Sequence, residues 1–289
     1  MQILNLANPE KSNIKYSISR FPDGEVQITL GEFSHKDSVE VHCRITSAEE
    51  LFILMQVADI LNRHEVKWDL EIYYLMSMRM DRVMDFNRPF TLKIVGNIIK
   101  GLGANRVELL EPHSDASYTL TGSDYDTVDP SEELYEALHP ENFKIFSKYL
   151  VVYPDAGAAE RYKQCHKASG SCVVVAEKVR DVATGRIESI RITNPELFAD
   201  NDKPIMVVDD LCDGGGTFLG LAAEIRKYTD KELNIFVTHM VNPKGIENLS
   251  KNFNHVFFTN SYKDWNGIKA EYRKAVPVLP ENVTQIEII

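Results

Sequence analysis

The sequence has few of the features that mark secreted or membrane proteins. Its 289 residues include only four cysteines, Cys43, Cys165, Cys172 and Cys212, and no two of them form a Cys-x-x-Cys pair. Scattered cysteines indicate reduced thiols and argue against a zinc site or a disulfide framework. No apolar run approaches the roughly 20 residues that span a bilayer, and residues 1–5 lack the basic and apolar regions of a signal peptide. We therefore expect a soluble, cytoplasmic protein.

An excess of positive charge is also missing. The chain has 43 acidic residues against 32 Lys plus Arg, which gives a formal net charge of −11. A protein that wraps a polyanion normally presents the opposite sign, so we do not expect nucleic acid as a partner. Nine of the acidic residues lie in residues 111–141, which contain no Lys or Arg, and the rest of the chain is nearly neutral.

The composition, with 44% hydrophobic residues, is that of a globular protein. Short apolar runs alternate with longer segments of helical period, a pattern that predicts an α/β fold with mainly parallel strands. Strands are predicted at residues 39–42, 70–74, 107–110, 149–153, 172–175, 205–208, 235–241 and 255–258. Helices are predicted at residues 48–63, 91–102, 158–167, 218–228 and 265–274.

The acidic segment at residues 123–140 is rich in Asp, Ser, Thr and Pro and contains the best candidate for a domain boundary. We place the two α/β domains at residues 1–135 and 136–289. The C-terminal residues 276–289 are expected to fold back as a strand that returns to the N-terminal domain.

The most informative segment reads Ile205-Met-Val-Val-Asp-Asp-Leu-Cys-Asp-Gly-Gly-Gly-Thr217. An apolar strand is followed by two aspartates and then by a glycine-rich turn that leads into a helix. Backbone N–H groups in such a turn can approach an anion closely, and the helix dipole adds about half a positive charge. A phosphate therefore suits the turn, and the two carboxylates suit sugar hydroxyls or Mg²⁺. The alternative is a tight connection whose aspartates only solvate the loop.

This order of residues resembles the phosphoribosyl pyrophosphate (PRPP) motif of phosphoribosyltransferases and PRPP synthetases. The resemblance implies that Asp209 and Asp210 hold the ribose hydroxyls. It also implies that five residues wrap the 5-phosphate: Asp213, Gly214, Gly215, Gly216 and Thr217.

Further segments resemble PRPP synthetase (ribose-phosphate diphosphokinase) in the order of that family, from about residue 16 to about residue 270. They are Arg20-Phe-Pro-Asp-Gly-Glu25, Arg79-Met-Asp-Arg82, Pro112-His113-Ser114, Tyr153-Pro-Asp-Ala-Gly157 and Lys178-Val-Arg180. Membership implies two similar phosphoribosyltransferase-like domains. A phosphoribosyltransferase itself is disfavoured, because it usually occupies only ~200 residues as one domain.

The resemblance assigns ATP and its Mg²⁺ to four residues. His113 and Asp155 resemble the Mg²⁺–ATP ligands of the family, and Arg79 and Arg82 resemble its triphosphate contacts. Arginine suits that task because its planar fork binds two phosphate oxygens. Three of the four have a plainer reading: Asp155 as a helix cap, His113 as a histidine at a core edge, and Arg82 as the partner of a nearby aspartate.

Two further regions have roles by resemblance. Phe21, Asp23 and Glu25 correspond to the region that recognises adenine, often across a subunit boundary, although Phe-Pro-Asp-Gly is also ordinary turn chemistry. Lys178 and Arg180 correspond to catalytic cations that stabilise charge on the transferred group. They begin a polar segment, residues 178–201, which resembles a mobile lid; the plainer reading is a solvated loop.

Several departures from the family pattern bear on the acceptor. Gly214 replaces the usual Thr of the phosphate turn, the lid is less basic, and Met76, Met78 and Met80 replace a Tyr-rich segment. We expect Mg²⁺-dependent transfer of the diphosphoryl group of ATP to the anomeric hydroxyl of ribose 5-phosphate or of a nucleotide that contains it, releasing AMP. ADP-ribose, in NAD reconstitution, is an alternative acceptor because Gly214 leaves room beside the turn.

A catalytically silent regulatory subunit is a further alternative, although every site residue is present. The family also implies a homo-oligomer, a dimer or a larger ring. Small-molecule substrates are then the partners, with neither nucleic acid nor membrane.

Overall fold

A computed structural model describes residues 1–123, 148–163, 172–180, 187–265 and 279–289. The chain divides into two compact units, Met1–Val128 together with Ile289, and Asp129–Ile288. The predicted cut between residues 135 and 136 lies outside the described residues, as does nearly all of the acidic segment.

The N-terminal unit is built on a parallel four-stranded sheet. Its strands are β1 (Gln2–Asn5), β4 (Val39–Ile45), β5 (Trp68–Leu75) and β6 (Val107–Leu109), in the order β1-β4-β5-β6. Strands β2 (Tyr16–Arg20) and β3 (Val26–Leu30) form a separate antiparallel hairpin. The described part of the unit also contains a short 3-10 helix (Pro9–Lys11) and the helices α1 (Ala48–Arg63), α2 (Thr91–Lys100) and α3 (Ala116–Thr121).

Helix α1 begins and ends where the sequence predicts. Ser47 accepts a hydrogen bond from the Glu50 backbone N–H, and the Glu50 side chain accepts one from the Ser47 backbone N–H, which together form a capping box. The face of α1 that carries Leu54, Val57 and Leu61 is fully buried. This face packs in one hydrophobic core with the inward residues of β4 and β5.

The C-terminal unit is built on a seven-stranded sheet with the order β13-β12-β11-β10-β7-β8-β9. Its strands are β7 (Leu150–Tyr153), β8 (Val173–Arg180), β9 (Ile187–Ile192), β10 (Ile205–Cys212), β11 (Leu233–Met240), β12 (His255–Thr259) and β13 (Val283–Ile286). The helices are α4 (Ala156–Arg161), α5 (Glu196–Ala199), α6 (Gly216–Ile225) and α7 (Pro243–Ser250). All strand pairs are parallel except β8 with β9.

The structure confirms the α/β class and places a strand at each of the predicted positions. It also corrects the predicted lid. Lys178 and Arg180 lie in β8, which pairs with β9 as an antiparallel extension of the sheet, so residues 178–201 are not one long loop. The alternation Ile190-Arg-Ile192 buries two isoleucines and is the missed signal of a strand. Residues 181–186 lie outside the described part.

The last strand is a second correction. Strand β13 pairs with β12 of the C-terminal sheet and does not return to the N-terminal unit. Val283 and Ile286 are both buried in the C-terminal cores, so adding this strand to the edge of that sheet removes their apolar surface from water. The predicted helix at residues 265–274 lies, apart from Trp265, outside the described residues.

Loss of the α1 cap should weaken the N-terminal unit. Ser47→Ala removes the acceptor for the Glu50 N–H and is expected to cost about 1 kcal/mol of unfolding free energy. Urea unfolding at pH 7 measures the change. Ser38→Ala, at an exposed serine before β4, is the matched control and should change stability by less than about 0.5 kcal/mol. Equal effects of the two substitutions would contradict the assignment of the cap.

Candidate active site

Two carboxylates lie near the carboxyl end of β10, at the centre of the C-terminal sheet. The strand continues through them to Cys212, four residues beyond the predicted end, because Leu211 and Cys212 are themselves buried. Only 14% of the Asp209 side chain and 3% of the Asp210 side chain is exposed. Neither aspartate therefore simply solvates a loop.

The glycine-rich turn follows directly and leads into α6. Gly215 has φ of +81°, a backbone conformation that favours glycine, and it caps the helix. At Gly214 and Gly216, apart from the adjacent backbone, no described atom lies within 4 Å of the position that a Cβ would occupy. Thr217 lies in the first turn of α6. The turn thus combines backbone N–H groups, a helix N-terminus and open space, which is the arrangement that binds a phosphate.

Helix α7 holds the turn from behind. Asn242 donates a hydrogen bond to Asp213 Oδ1 (2.9 Å), and Asn248 donates one to the Gly214 carbonyl (2.8 Å). Gly245 allows the close approach, because a Cβ there would lie 2.2 Å from the Asp213 carbonyl oxygen. The conformation of the turn is therefore fixed by contacts from a second helix as well as by its own glycines.

Arg161, at the end of α4, neutralises part of the acidic pair. Its guanidinium donates a hydrogen bond to Asp210 Oδ1 (2.8 Å) and lies 3.6 Å from Asp209 Oδ1. Asp155 caps the same helix by accepting from the Ala158 N–H (3.0 Å), so the plainer reading of Asp155 as a helix cap is confirmed.

The environment shifts the ionisation of this cluster. Burial, the adjacent Asp210 carboxyl and the charge of Asp155 raise the pKa of Asp209 well above its usual value, although Arg161 opposes the shift. Burial, with the charges of Asp213 and Asp209, also raises the pKa of the Cys212 thiol to about 12. Cys212 is therefore a neutral thiol, and the chemistry of the site belongs to its carboxylates.

A second group of predicted residues lies in the N-terminal unit, after the ends of β5 and β6. Arg79 and Arg82 are exposed in the loop after β5, and Arg82 pairs with Asp81 (2.9 Å), as its plainer reading requires. Burial works to raise the pKa of Asp81, but the hydrogen bonds from Arg82 and the charges of Arg82 and His113 outweigh it, so the pKa is lowered. The structure thus brings His113 and Asp81 together.

Backbone strain marks the same two strand ends. Ser77, two residues before Arg79, has φ of +68°, and Glu111, two residues before His113, has φ of +39°. Residues other than glycine rarely adopt a positive φ. This conformation costs of the order of 1 kcal/mol or more per residue, and residues that adopt it are concentrated at functional sites. The strain supports the interpretation of both loops as part of a binding site.

The remaining predicted residues are described only in part. Phe21, Asp23 and Glu25 form the exposed tip of the β2–β3 hairpin, where Asp23 accepts from the Glu25 N–H (3.2 Å) and Gly24 has φ of +96°. This is the turn that Phe-Pro-Asp-Gly predicts. The backbone of Lys178 and Arg180 lies in β8, and their side chains lie outside the described part.

Sequence reasoning missed the residues that support the predicted ones. Arg161, Asn242, Gly245 and Asn248 were not singled out. Asn242 had a readable signal, because Asn-Pro before a helical pattern marks a capped helix start. Arg161 had no such signal. Its spacing of six residues from Asp155 carries no information until the structure places helix α4 beside β10.

Two parallel α/β units, one with an acidic strand end beside a glycine-rich phosphate turn, define a phosphoribosyltransferase-like protein. No family model matches the sequence. Curated relatives do. The ribose-phosphate pyrophosphokinase of Sulfurisphaera tokodaii is 30% identical over 206 residues, which cover 69% of this chain and 67% of the relative. The enzyme of the same name from Pyrococcus abyssi is 26% identical over 250 residues, 86% of this chain and 84% of the relative.

A solved structure agrees in fold. The phosphoribosylpyrophosphate synthetase from Mycobacterium smegmatis matches with a TM-score of 0.75 at 18% identity, over 100% of this chain and 95% of that one. The chain belongs to the ribose-phosphate pyrophosphokinase family, as a divergent member. It is therefore an enzyme of the diphosphotransferase class. Among the described residues no helix is long and apolar enough to cross a membrane.

The raised pKa of Asp209 predicts that its charge destabilises the fold at neutral pH. An acid with a raised folded-state pKa loses stability as the pH rises above its unfolded value of ~3.9. Asp209→Asn should therefore increase the unfolding free energy at pH 7 by about 1 kcal/mol or more, and the gain should shrink as the pH falls to 4.5. Urea unfolding at both pH values measures it. Asp202→Asn, at an exposed aspartate, is the control and should show no gain in unfolding free energy. If Asp209→Asn shows no gain either, the prediction is contradicted.

The close approach at Gly245 predicts a steric effect on the turn. In Gly245→Ala the new methyl group would overlap the Asp213 carbonyl, so we expect a loss of about 1–3 kcal/mol in unfolding free energy. Chemical unfolding of the variant measures the loss. Gly101→Ala is the control, because a Cβ there meets its nearest atom at an ordinary 3.4 Å. A Gly245→Ala protein as stable as this control would refute the packing of α7 against the turn.

Proposed function

We propose that the protein catalyses Mg²⁺-dependent transfer of the diphosphoryl group of ATP to the anomeric hydroxyl of ribose 5-phosphate, or of a nucleotide that contains it, with release of AMP. The observation that carries the proposal is the buried acidic pair Asp209 and Asp210 beside an open phosphate turn, in a chain of this family. Such a site would hold a sugar phosphate by its phosphate group and by its ring hydroxyls.

The acceptor would be oriented by two kinds of contact. The turn from Asp213 to Thr217 binds the 5-phosphate through backbone N–H groups and the N-terminus of α6. Asp209 and Asp210 accept hydrogen bonds from the ribose hydroxyls, which fixes the sugar ring and aims its anomeric oxygen. Holding the acceptor in this way accounts for much of the catalysis, because phosphoryl transfer requires positioning more than covalent help from the protein.

The carboxylates also suit a cation. Asp209 and Asp210 are adjacent, and the charge of Asp155 acts on Asp209. The negative charge of these carboxyl groups would attract a divalent ion, although Arg161 compensates part of it. By resemblance Asp155 and His113 are each assigned to Mg²⁺ and ATP. When bound, the ion would neutralise charge on the phosphate oxygens. Oxygen ligands such as these are the type that Mg²⁺ prefers.

The donor side rests on the resemblance and on positive charge. Arg79 is exposed in the loop after β5, where it can reach the triphosphate, and Arg82 next to it is held by Asp81. Lys178 and Arg180 are assigned to the transferred diphosphoryl group, whose developing negative charge they stabilise. The anomeric hydroxyl then attacks the β-phosphorus, the bond between the α,β-bridging oxygen and the β-phosphorus breaks, and AMP leaves.

A homo-oligomer is part of the proposal. A groove between the β2–β3 hairpin and α1 is lined in part by Phe21, Phe52 and Met55, which are 49%, 49% and 40% exposed. Exposed apolar side chains that cluster in this way mark interaction surfaces. The resemblance places adenine recognition by Phe21, Asp23 and Glu25 at a subunit boundary, so a second copy would both cover the groove and complete the donor site.

ADP-ribose is the second candidate acceptor, and Gly214 favours it. No described atom lies within 4 Å of a Cβ built at Gly214, so the turn is open where a Thr side chain would otherwise lie. An acceptor whose 5-phosphate is esterified requires such space, whereas free ribose 5-phosphate does not. In this reading the enzyme acts in reconstitution of NAD.

The test compares the two acceptors. Purified protein with ATP and Mg²⁺ should release AMP only when an acceptor is present, and chromatography of the nucleotides measures it. The open turn predicts a higher kcat/KM for ADP-ribose; an equal or higher value for ribose 5-phosphate would overturn that choice.

Asp209→Ala and Lys178→Ala should each lower turnover by at least about 100-fold without unfolding the protein. If no AMP is released from ATP with either acceptor, the result would favour the alternative of a catalytically silent regulatory subunit.

A further inference from the structure

The face of the N-terminal sheet opposite α1 carries charged side chains near its middle. Strand β4 alternates buried apolar residues with half-buried Glu40, His42 and Arg44, and β5 continues the polar face with Glu71. His42 and Glu71 are direct neighbours in the parallel register of the two strands. Alternation along a strand therefore places one imidazole and two carboxylates on one surface.

Three of these side chains point their ligand atoms at one another. His42 Nε2 lies 3.0 Å from Glu40 Oε1 and 3.3 Å from Glu71 Oε2. One ligand atom of each residue lies within 4.8 Å of the others, and no other group of three His, Cys, Asp or Glu side chains in the described part of the chain meets that limit. All three residues are half-buried, so the cluster is set into the surface.

The imidazole is oriented for a ligand on Nε2. Its Nδ1 lies 3.1 Å from the Tyr73 hydroxyl, which fixes the ring from behind. Nε2 is buried, and among the described residues it has no partner in hydrogen-bonding geometry, although two carboxylates lie close to it. A histidine held through one ring nitrogen, with the other turned toward carboxylates, is the usual arrangement of a metal ligand and its supporting residue.

We propose that Glu40, His42 and Glu71 form a binding site for a divalent transition-metal ion of the Zn²⁺ class. Tetrahedral zinc with ligand distances of about 2.1 Å places its ligand atoms about 3.4 Å apart, close to the separations observed here. One nitrogen and two carboxylate oxygens leave a fourth position for water. Imidazole favours Zn²⁺ over Mg²⁺, because Mg²⁺ prefers oxygen ligands.

The charge of the surroundings agrees with a cation. Glu108 of β6 is the register neighbour of Glu71 and adds a further carboxylate to the same face. The opposing cations are Arg44, on the same face of β4, and Arg106, which is paired with Glu108. The cluster lies within the strands, whereas Arg79 and His113 lie in the loops beyond the strand ends, so it is separate from the ATP-binding residues proposed above.

An ion here would link β4 to β5 and stabilise the N-terminal unit, because a ligand that binds only the folded state shifts the unfolding equilibrium. Without a metal the same three side chains would interact only with one another and with Tyr73. The two readings predict different metal stoichiometries, which can be measured without ATP or acceptor. The result is therefore independent of the proposed transfer activity.

The test is a zinc titration of the full-length protein after dialysis against a chelator. Isothermal calorimetry with ZnCl₂ is run in millimolar MgCl₂, so that sites with oxygen ligands are already occupied. Wild-type protein is compared with His42→Gln, with Glu71→Gln and with His255→Gln, a control at an exposed histidine of β12. We expect wild type and His255→Gln to bind one more zinc equivalent than either cluster variant, or to bind that equivalent at least about tenfold more tightly.

A spectroscopic signature separates coordination from a structural effect. Measured without ATP, so that no nucleotide-bound metal ion lies at His113, Mn²⁺ bound at this site should show electron-spin coupling to ¹⁴N of an imidazole in wild type and in His255→Gln, and should lose it in His42→Gln. Tyr73→Phe keeps all three ligands and should weaken zinc binding by about 10–100-fold without abolishing it. If His42→Gln does not fold, Glu40→Gln serves in its place for the stoichiometry. Equal zinc binding and equal ¹⁴N coupling in wild type and cluster variants would overturn the proposal.

Discussion

The proposed acceptor site depends on keeping two adjacent carboxyl groups inside a parallel sheet. Asp209 and Asp210 lie in β10, between β7 and β11, where burial and mutual repulsion both disfavour two negative charges. Arg161 compensates one of them directly through Asp210. The other remains incompletely compensated, and its raised pKa expresses that imbalance. A site of this kind gains from binding a cation or from hydrogen bonds donated by sugar hydroxyls.

The surrounding structure holds the second half of the acceptor site in place. Asn242, Gly245 and Asn248 of the α7 region fix the turn that follows β10, so its conformation is set before any ligand binds. Preorganisation of this kind reduces the entropy lost on binding. The buried aspartates, which cost stability, and the rigid turn therefore belong to the same proposed acceptor site.

Much of the fold could be predicted from the sequence, because strong local patterns specify it. The apolar run of β10 and the Ser47 cap each indicate where an element begins, without tertiary information. Strand β9 was missed because its alternation is short, although Ile190 and Ile192 carry the signal. The destination of β13 could not be read at all, since pairing at a sheet edge depends on which apolar surface is left uncovered.

The residues of the candidate site also divide into those that the sequence could indicate and those that only the tertiary structure reveals. Asp209, Asp210 and the three glycines are contiguous, so their order alone indicated a phosphate site. Arg161 comes from a different element, and its role depends on a helix placed beside β10, which no spacing in the sequence reveals. The cluster of Glu40, His42 and Glu71 was invisible for the same reason, because its members meet only through the register of β4 and β5.

The central claim is that a diphosphoryl group, and not a single phosphoryl group, moves from ATP to an anomeric oxygen. Phosphorus NMR of a completed reaction tests it most directly, with each acceptor in turn. The account predicts equal amounts of AMP and of a product that carries two coupled phosphorus signals on the anomeric carbon. Formation of ADP with a monophosphate product, or of AMP with free pyrophosphate, would contradict it.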